Sequence, residues 1–244
     1  MEPLECSGTI EVAIVGGGAA GLAAAIFAAR QKPGRQIVIL DGAKKLGAKI
    51  LISGGGRCNV TNDVVSADDF WGGSRHVIRR VLAAFPVEQT VAFFREIGVP
   101  LHPEPDGKLF PDSNKARTVL DALLAEAGRR GVRILLEHRA TQITRRVEQF
   151  ELATASHTLT ARSVVLATGG RSVPKTGSDG TGYRLAQSLG HSLVPQTPAW
   201  CRSSWTAIFT CLCPESRRRS QSPSGPTAQS RLACAVRCSG PISA

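Results

Sequence analysis

The hydrophobic positions near the start of the chain form two short apolar runs separated by a stretch of helical character. Ile10 to Val15 is an apolar run of strand length, and it is followed by a glycine turn and an Ala-rich stretch from about Ala19 to Gln31. Ile37 to Leu40 is the second apolar run. Because a strand, a helix and a strand this close together need a right-handed crossover, the pattern predicts parallel neighbouring strands that open a doubly wound sheet.

Helical spacing returns in the middle of the chain. The apolar residues of 77–85 predict one helix, Pro86 ends it, and those of 87–94 predict the next. A third amphipathic helix is predicted over 119–127, and it leads into the apolar run 132–136. We expect that run to be the third parallel strand, with the preceding helix as its crossover.

Other segments have a different pattern. Residues 41–62 are rich in glycine and charge with little periodicity, which predicts a long ordered loop that binds something. Short β segments between 141 and 159 predict an antiparallel meander, and Ser163 to Ala167 predicts a buried strand. A helix is expected over Gly180 to Leu189. The predicted fold class is therefore α/β: a doubly wound parallel sheet, Rossmann-like, with a small antiparallel meander.

The glycine turn after the first strand has the spacing G-x-G-x-x-G, in the order Gly16, Gly17, Gly18, Ala19, Ala20, Gly21. In a dinucleotide site Gly16 permits the sharp turn, Gly18 lets the backbone approach the pyrophosphate, and Gly21 allows close helix packing. Asp41, 20 residues after Gly21 at the end of the next strand, is placed to accept hydrogen bonds from an adenosine ribose. The alternative is a Gly/Ala-rich helix start that only packs.

This fingerprint does not decide between FAD and NAD, because both contain ADP. Lys44 and Lys45 can contact a 2′-phosphate, although Asp41 would repel one. The next segment is the informative one, and it runs Ser53, Gly54, Gly55, Gly56, Arg57, Cys58, Asn59. Together with Lys49 and its neighbours, it resembles the flavoprotein family that includes the BaiN and YhiN proteins, labelled NAD(P)/FAD-dependent or aminoacetone-oxidase-like oxidoreductases.

The resemblance extends from about Val12 to Thr197 and implies FAD as cofactor, with NAD(P)H as a possible electron donor and a small organic substrate. Consecutive glycines leave N–H groups for a phosphate or the flavin edge, and Arg57 can hold a phosphate or a flavin carbonyl. The alternative is a surface loop without a ligand. Cys58 beside Arg57 is more typical of a neutral buried thiol than of a redox group.

Two later motifs resemble the same family. Thr168 and Gly169 end the predicted strand Ser163 to Ala167, and the family places that strand end beside the adenosine. Asp179 and Gly180 precede a helix directed toward the cofactor side. Asp179 is equally well explained as a helix N-cap without any ligand.

Charge and cysteine content restrict the remaining classes. The net charge is +11, but six arginines against one glutamate fall in the last 45 residues, so specific nucleic-acid binding is not expected. Before residue 200 there are only two cysteines, Cys6 and Cys58, and no leader is recognised, which predicts a reduced, cytoplasmic protein. The uncharged run Val12 to Ala29 is broken by glycines, so no membrane span is predicted. No spacing suggests a metal site.

The character of the chain changes after about Ala199. We interpret residues 1–199 as a partial FAD-binding domain and residues 200–244 as a basic tail rich in Ser, Arg and Cys, disordered or out of frame. A shifted reading of the codons from Trp200 to Trp205 permits an apolar strand, which favours a frameshift over a divergent tail. The resemblance implies further domains beyond this point. The sequence names no catalytic acid or base, and the chain is either a flavin oxidoreductase, a non-catalytic nucleotide-binding fragment or an NAD-binding module.

Overall fold

The computed structural model of the protein describes residues 10–70 and 73–196, so the predicted tail 200–244 lies outside the described residues. The strands are β1 (Ile10–Val15), β2 (Ile37–Leu40), β3 (Thr61–Asn62), β4 (Leu101–Pro103), β5 (Lys108–Pro111), β6 (Arg133–Leu135), β7 (Gln142–Arg145), β8 (Phe150–Ala153) and β9 (Thr158–Leu166). The α-helices are α1 (Ala19–Gln31), α2 (Ala48–Ile52), α3 (Arg75–Ala84), α4 (Val87–Glu96), α5 (Ala116–Arg129) and α6 (Thr181–Ser188).

Six strands form one mixed sheet in the order β6, β2, β1, β9, β8, β7. β1 lies parallel to β2, with Val12 opposite Ile37, and β2 lies parallel to β6, with Val38 opposite Arg133. These pairs confirm the parallel strands and the crossover helices predicted from the apolar runs. The helix pair divided at Pro86 is confirmed as α3 and α4, and the helix predicted from Gly180 as α6.

The end of the sheet differs from the prediction. The meander and the strand from Ser163 were expected as separate elements, but β9 is one strand that serves both. Its first half pairs antiparallel with β8, where Ala153 faces Thr158, and its second half pairs parallel with β1, where Val15 faces Leu166. The expected burial is also wrong in part, because Val165 is 37% exposed.

The loop predicted for 41–62 contains regular structure. It includes α2, a short 3-10 helix at Ser53–Gly56 and strand β3. β3 joins β5 and β4 in a separate three-stranded antiparallel sheet that the sequence did not predict. These strands have two to four residues each, too few for alternation to be recognised.

Alternating residues of β1 and β2 are buried on opposite faces of the main sheet. Ile14 and Ile39 pack in a core with α1 and α5, whereas Val15 and Val38 pack in a second core with the meander and α6. Strands buried on both faces appear as continuous apolar runs in the sequence, as observed here. This packing fixes the carboxyl ends of β1, β2 and β9, where the predicted site residues lie. No helix in the described part of the chain is long and apolar enough to cross a membrane.

Candidate functional site

The turn between β1 and α1 has a backbone geometry that requires glycine at two points. Gly16 has φ +106°, and a Cβ there would lie 2.5 Å from the carbonyl oxygen of Ala167. A Cβ on Gly21 would overlap the carbonyl oxygen of Gly16. Only glycine therefore lets the chain leave β1, pass the end of β9 and enter α1 in this space.

The beginning of α1 presents unpaired N–H groups. Gly18 is the N-cap of this 13-residue helix and no side chain caps it, while the first N–H to bond within the helix is that of Leu22, which donates to Gly18 at 2.9 Å. Apart from its chain neighbours, no described residue has an atom within 4 Å of the position that a Cβ on Gly18 would take, and Ala19 and Ala20 are exposed. N–H groups and a positive helix end facing open space can bind a diphosphate.

Asp41 stands beside this turn and is held by the backbone. Its Oδ2 accepts from the N–H of Gly17 at 2.7 Å, and its Oδ1 accepts from the N–H of Ala43 at 2.8 Å. A carboxylate has about four acceptor positions, so two remain after these bonds. Asp41 is therefore located where a ribose contact was predicted, with an additional bond to the turn that the sequence did not indicate.

Thr168 and Gly169 follow the carboxyl end of β9 and lie beside the glycine turn. The N–H of Ala167 donates to the carbonyl of Val15 at 2.8 Å, which seats the end of β9 against the end of β1. A Cβ on Gly182, at the start of α6, would overlap the hydroxyl of Thr168. The glycine turn, Asp41 and Thr168 thus lie together at the carboxyl ends of β1, β2 and β9, and the start of α6 packs against Thr168.

Lys49 connects two segments that are far apart in sequence. From α2 its Nζ donates to the hydroxyl of Ser178 at 2.6 Å and to the carbonyl of Ser172 at 2.8 Å. Ser178 is only 6% exposed and lies close to Gly169, whose Cβ would be 2.5 Å from the Ser178 hydroxyl. Sequence reasoning missed Ser178, and its position directly before the Asp179-Gly180 pair was the only available signal.

The segment Ser53–Asn59 combines an exposed glycine backbone with an arginine that already has protein partners. Gly54, Gly55 and Gly56 all have positive φ and are exposed, as a backbone that approaches a ligand requires. The Arg57 guanidinium, however, pairs with Glu104 and lies 4.0 Å from the centre of the Phe110 ring. Both partners belong to the region of the three-stranded sheet: Glu104 follows β4 and Phe110 is in β5. No local sequence pattern indicated the contact with Glu104.

Cys58 has the environment of an unreactive thiol. Its side chain is buried, with 7% exposure, and burial raises its pKa, against the smaller lowering effect of a hydrogen bond with Ser53. A raised pKa decreases the thiolate fraction at neutral pH. This agrees with the neutral buried cysteine favoured by the sequence.

Asp179 was expected as the N-cap of α6, but that position is Gly180, whose left-handed backbone moves Asp179 one residue outside the helix. Its bonds nevertheless account for it without a ligand. Its Oδ1 accepts from the N–H of Thr181 at 3.0 Å at the start of α6, and its Oδ2 pairs with Arg139. Hydrogen bonds from the N–H and hydroxyl of Thr181, and then from Arg139, hold the pKa of Asp179 well below its usual range. Arg139 also donates to the Thr181 hydroxyl at 2.7 Å, a contact that the sequence did not predict.

The two interpretations of Asp179 predict different outcomes for Asp179→Ala. If Asp179 only holds the start of α6 through Thr181 and Arg139, its loss should lower the free energy of unfolding by about 1 kcal/mol and leave nucleotide affinity nearly unchanged. Asp179→Asn keeps an acceptor for the N–H of Thr181 and serves as the matched control. Urea unfolding and FAD titration of both variants measure this, and a large loss of affinity with unchanged stability would show that Asp179 contacts the ligand.

Among the residues that the structure describes, no group of three or more His, Cys, Asp or Glu is arranged to hold a metal ion. The polar groups that converge at the carboxyl ends of the strands are backbone N–H groups, the Asp41 carboxylate, the Lys49 ammonium group and the hydroxyls of Thr168 and Ser178. This set suits a dinucleotide.

Comparison with known proteins agrees with this geometry. The sequence model of the HI0933-like protein Rossmann domain matches residues 10–211. The chain is 37% identical over 188 residues to a 3-dehydro-bile acid delta(4,6)-reductase of Clostridium scindens, an alignment covering 77% of this chain and 46% of that protein. It is 33% identical over 188 residues to a ribosomal RNA dihydrouridine synthase of Haemophilus influenzae, covering 75% and 46%. The chain thus spans about half the length of these relatives.

A solved structure shows the same fold at lower identity. The 3-ketosteroid-delta4-(5alpha)-dehydrogenase of Rhodococcus jostii, in complex with 4-androstene-3,17-dione, superposes with TM-score 0.54 at 19% identity, over 77% of this chain and 56% of that one. The fold is the Rossmann-like FAD-binding fold of flavoprotein oxidoreductases. The chain belongs to the HI0933-like family, which confirms the resemblance carried by Ser53–Asn59.

Proposed function

We propose that this chain binds FAD at the joined ends of β1, β2 and β9 and is the cofactor-binding part of an FAD-dependent oxidoreductase. The observation that carries the proposal is the uncapped start of α1, which faces open space at Gly18 with Asp41 beside it. Positive helix ends with free N–H groups bind phosphates, and an acidic residue at the next strand end suits a ribose.

The residues divide between the parts of the cofactor. The N–H groups of Gly18, Ala19, Ala20 and Gly21 are assigned to the diphosphate, because those of Gly16 and Gly17 donate to Leu40 and Asp41. The two remaining acceptor positions of Asp41 are assigned to ribose hydroxyls. The N–H groups of the exposed glycines of Ser53–Asn59 are assigned to a phosphate or to the flavin edge, and Lys49 to the same cofactor side. When bound, FAD supplies hydride-transfer chemistry, while the protein supplies orientation.

The substrate proposal rests on the relatives. One is named for reducing the delta(4,6) bonds of a 3-dehydro-bile acid and another for making dihydrouridine in ribosomal RNA. We propose for this chain the shared acceptor chemistry, a carbon–carbon double bond activated by a neighbouring carbonyl in a small organic molecule, with NAD(P)H as electron donor in the cytoplasm. Because one relative is named for acting on ribosomal RNA, RNA is the alternative substrate that should be compared with a small molecule.

A second candidate is a nucleotide-binding fragment without catalysis. The observation that favours it is that the backbone N–H groups at the start of α1 and the Asp41 carboxylate account for nucleotide binding by themselves. An NAD-binding module is the third possibility, since the glycine turn and Asp41 suit ADP in either cofactor.

Purification of the 244-residue chain tests these proposals. An FAD-binding chain should be yellow, show a flavin absorption band and release a compound with the mass of FAD on denaturation. Turnover of NADPH with an unsaturated ketone then separates the enzyme from the fragment. A colourless protein that binds NAD but not FAD would contradict the proposal.

A further inference from the structure

The bonds of Asp41 indicate a second task for this residue. In dinucleotide sites the acidic residue after the second strand is expected to contact the ribose. Here its carboxylate also accepts two backbone N–H groups, from Gly17 at 2.7 Å and Ala43 at 2.8 Å. Gly17 is buried in the turn, and Ala43 lies in the segment after β2. One side chain therefore joins the glycine turn to the end of the neighbouring strand.

The backbone of Asp41 is itself firmly held. Its N–H donates to the carbonyl of Leu135 at 3.0 Å, and its carbonyl accepts from the N–H of His138 at 2.8 Å. The residue is thus attached to the end of β6 by its backbone and to the end of β1 by its side chain. A carboxylate fixed in this way can set the position of whatever it bonds.

We propose that Asp41 is a positioning residue that holds the glycine turn in place, in addition to any ribose contact. By accepting from Gly17, it fixes the turn immediately before Gly18, so that the four N–H groups starting α1 point into the open space. This inference extends the proposed function, since the diphosphate is the group that would benefit. It also makes a claim about the nucleotide-free protein, where no ribose is present.

A comparison of two nucleotides separates the two tasks. ADP carries the ribose hydroxyls, whereas 2′,3′-dideoxy-ADP lacks them but keeps the diphosphate. If Asp41 only contacts ribose, Asp41→Ala leaves the affinity for dideoxy-ADP unchanged. If it positions the turn, Asp41→Ala should weaken dideoxy-ADP binding about tenfold and lower the melting temperature of the nucleotide-free chain by about 5 °C.

Matched variants complete the test on the full chain. Asp121→Ala removes an aspartate that is 61% exposed on α5, and should change neither quantity. Asp41→Asn keeps one acceptor for Gly17, so an intermediate loss supports the proposal even if Asp41→Ala does not fold. Unchanged dideoxy-ADP affinity together with an unchanged melting temperature overturns it. A wild-type chain that binds no ADP contradicts the proposed function alone, because the nucleotide-free melting temperature still decides the positioning role.

Discussion

Gly18→Val should abolish binding of FAD and ADP while leaving the melting temperature of the nucleotide-free chain nearly unchanged. Gly18 has φ −76° and ψ −171°, an extended conformation that valine adopts readily. Within residues 10–70 and 73–196, only its own chain neighbours come within 4 Å of its Cβ position. The side chain would instead fill the space through which the diphosphate must approach the N–H groups of α1. We expect affinity to fall at least about 100-fold, which corresponds to ~2.7 kcal/mol.

Gly128→Val provides the matched control for this variant. Gly128 is in α5 and is exposed, and in the part of the chain that the structure describes only its own helix comes within 4 Å of its Cβ position. The same substitution there should affect neither binding nor folding. Isothermal titration with ADP and thermal unfolding of both variants measure the effect. Nucleotide affinity that persists in Gly18→Val would show that the diphosphate does not bind at the start of α1.

The glycine turn is the part of the site that the sequence predicted well. Gly16 and Gly21 occupy positions where a Cβ would collide with backbone atoms, and such constraints are local, acting within one strand, turn and helix. A constraint of this kind determines which residue types occur and at what spacing, so it can be recognised in the sequence. The parallel strands were predictable for a related reason, since both faces of β1 and β2 are buried and the runs are therefore continuously apolar.

The contacts that the sequence could not predict join distant segments. Lys49 to Ser178 spans 129 positions and Arg57 to Glu104 spans 47, and neither pair belongs to a repeating pattern. Arg57 illustrates the limit: its residue type suits a phosphate or a flavin carbonyl, and that role stays a prediction, while its observed partners depend on the three-stranded sheet. That sheet is built from strands too short to show alternation, so nothing in the sequence placed Phe110 and Glu104 beside Arg57.

A long-range ion pair between Arg30 and Glu126 also joins α1 to α5, and two local pairs along α5 complete the cluster around Glu126. Glu126 is almost fully buried, with 4% of its side chain exposed, and accepts from Arg30 at 2.8 Å, Arg129 at 2.7 Å and Arg130 at 2.9 Å. Arg30 also pairs with Glu96 at 2.9 Å and lies 5.1 Å from the centre of the Phe93 ring. Because α1 carries at its other end the N–H groups that we assign to the diphosphate, this cluster stabilises the helix on which the proposed site depends.

Replacement of Glu126 by glutamine should therefore produce the largest loss of stability. Burial alone would raise the pKa of Glu126, but hydrogen bonds from Arg30, Arg130 and Arg129 outweigh it and lower the pKa from 4.5 to about 2. A carboxyl whose pKa is depressed in the folded state stabilises the protein at every pH above its unfolded value. A difference of this size corresponds to about 3 kcal/mol at neutral pH, and we expect Glu126→Gln to lose about that amount.

The stabilisation that Glu126 provides should depend on pH, and its direction can be measured. The contribution of Glu126 should be complete above about pH 5 and should disappear as the pH falls from about 4.5 toward 2, so wild type and Glu126→Gln should converge in acid. Glu96→Gln is the matched control, because it removes another partner of Arg30 whose side chain is 57% exposed, and an exposed pair contributes at most about 1 kcal/mol. Urea unfolding at several pH values measures all three proteins. Equal losses for the two variants, or a Glu126→Gln loss that persists unchanged at pH 2, would contradict a buried carboxylate held by three arginines.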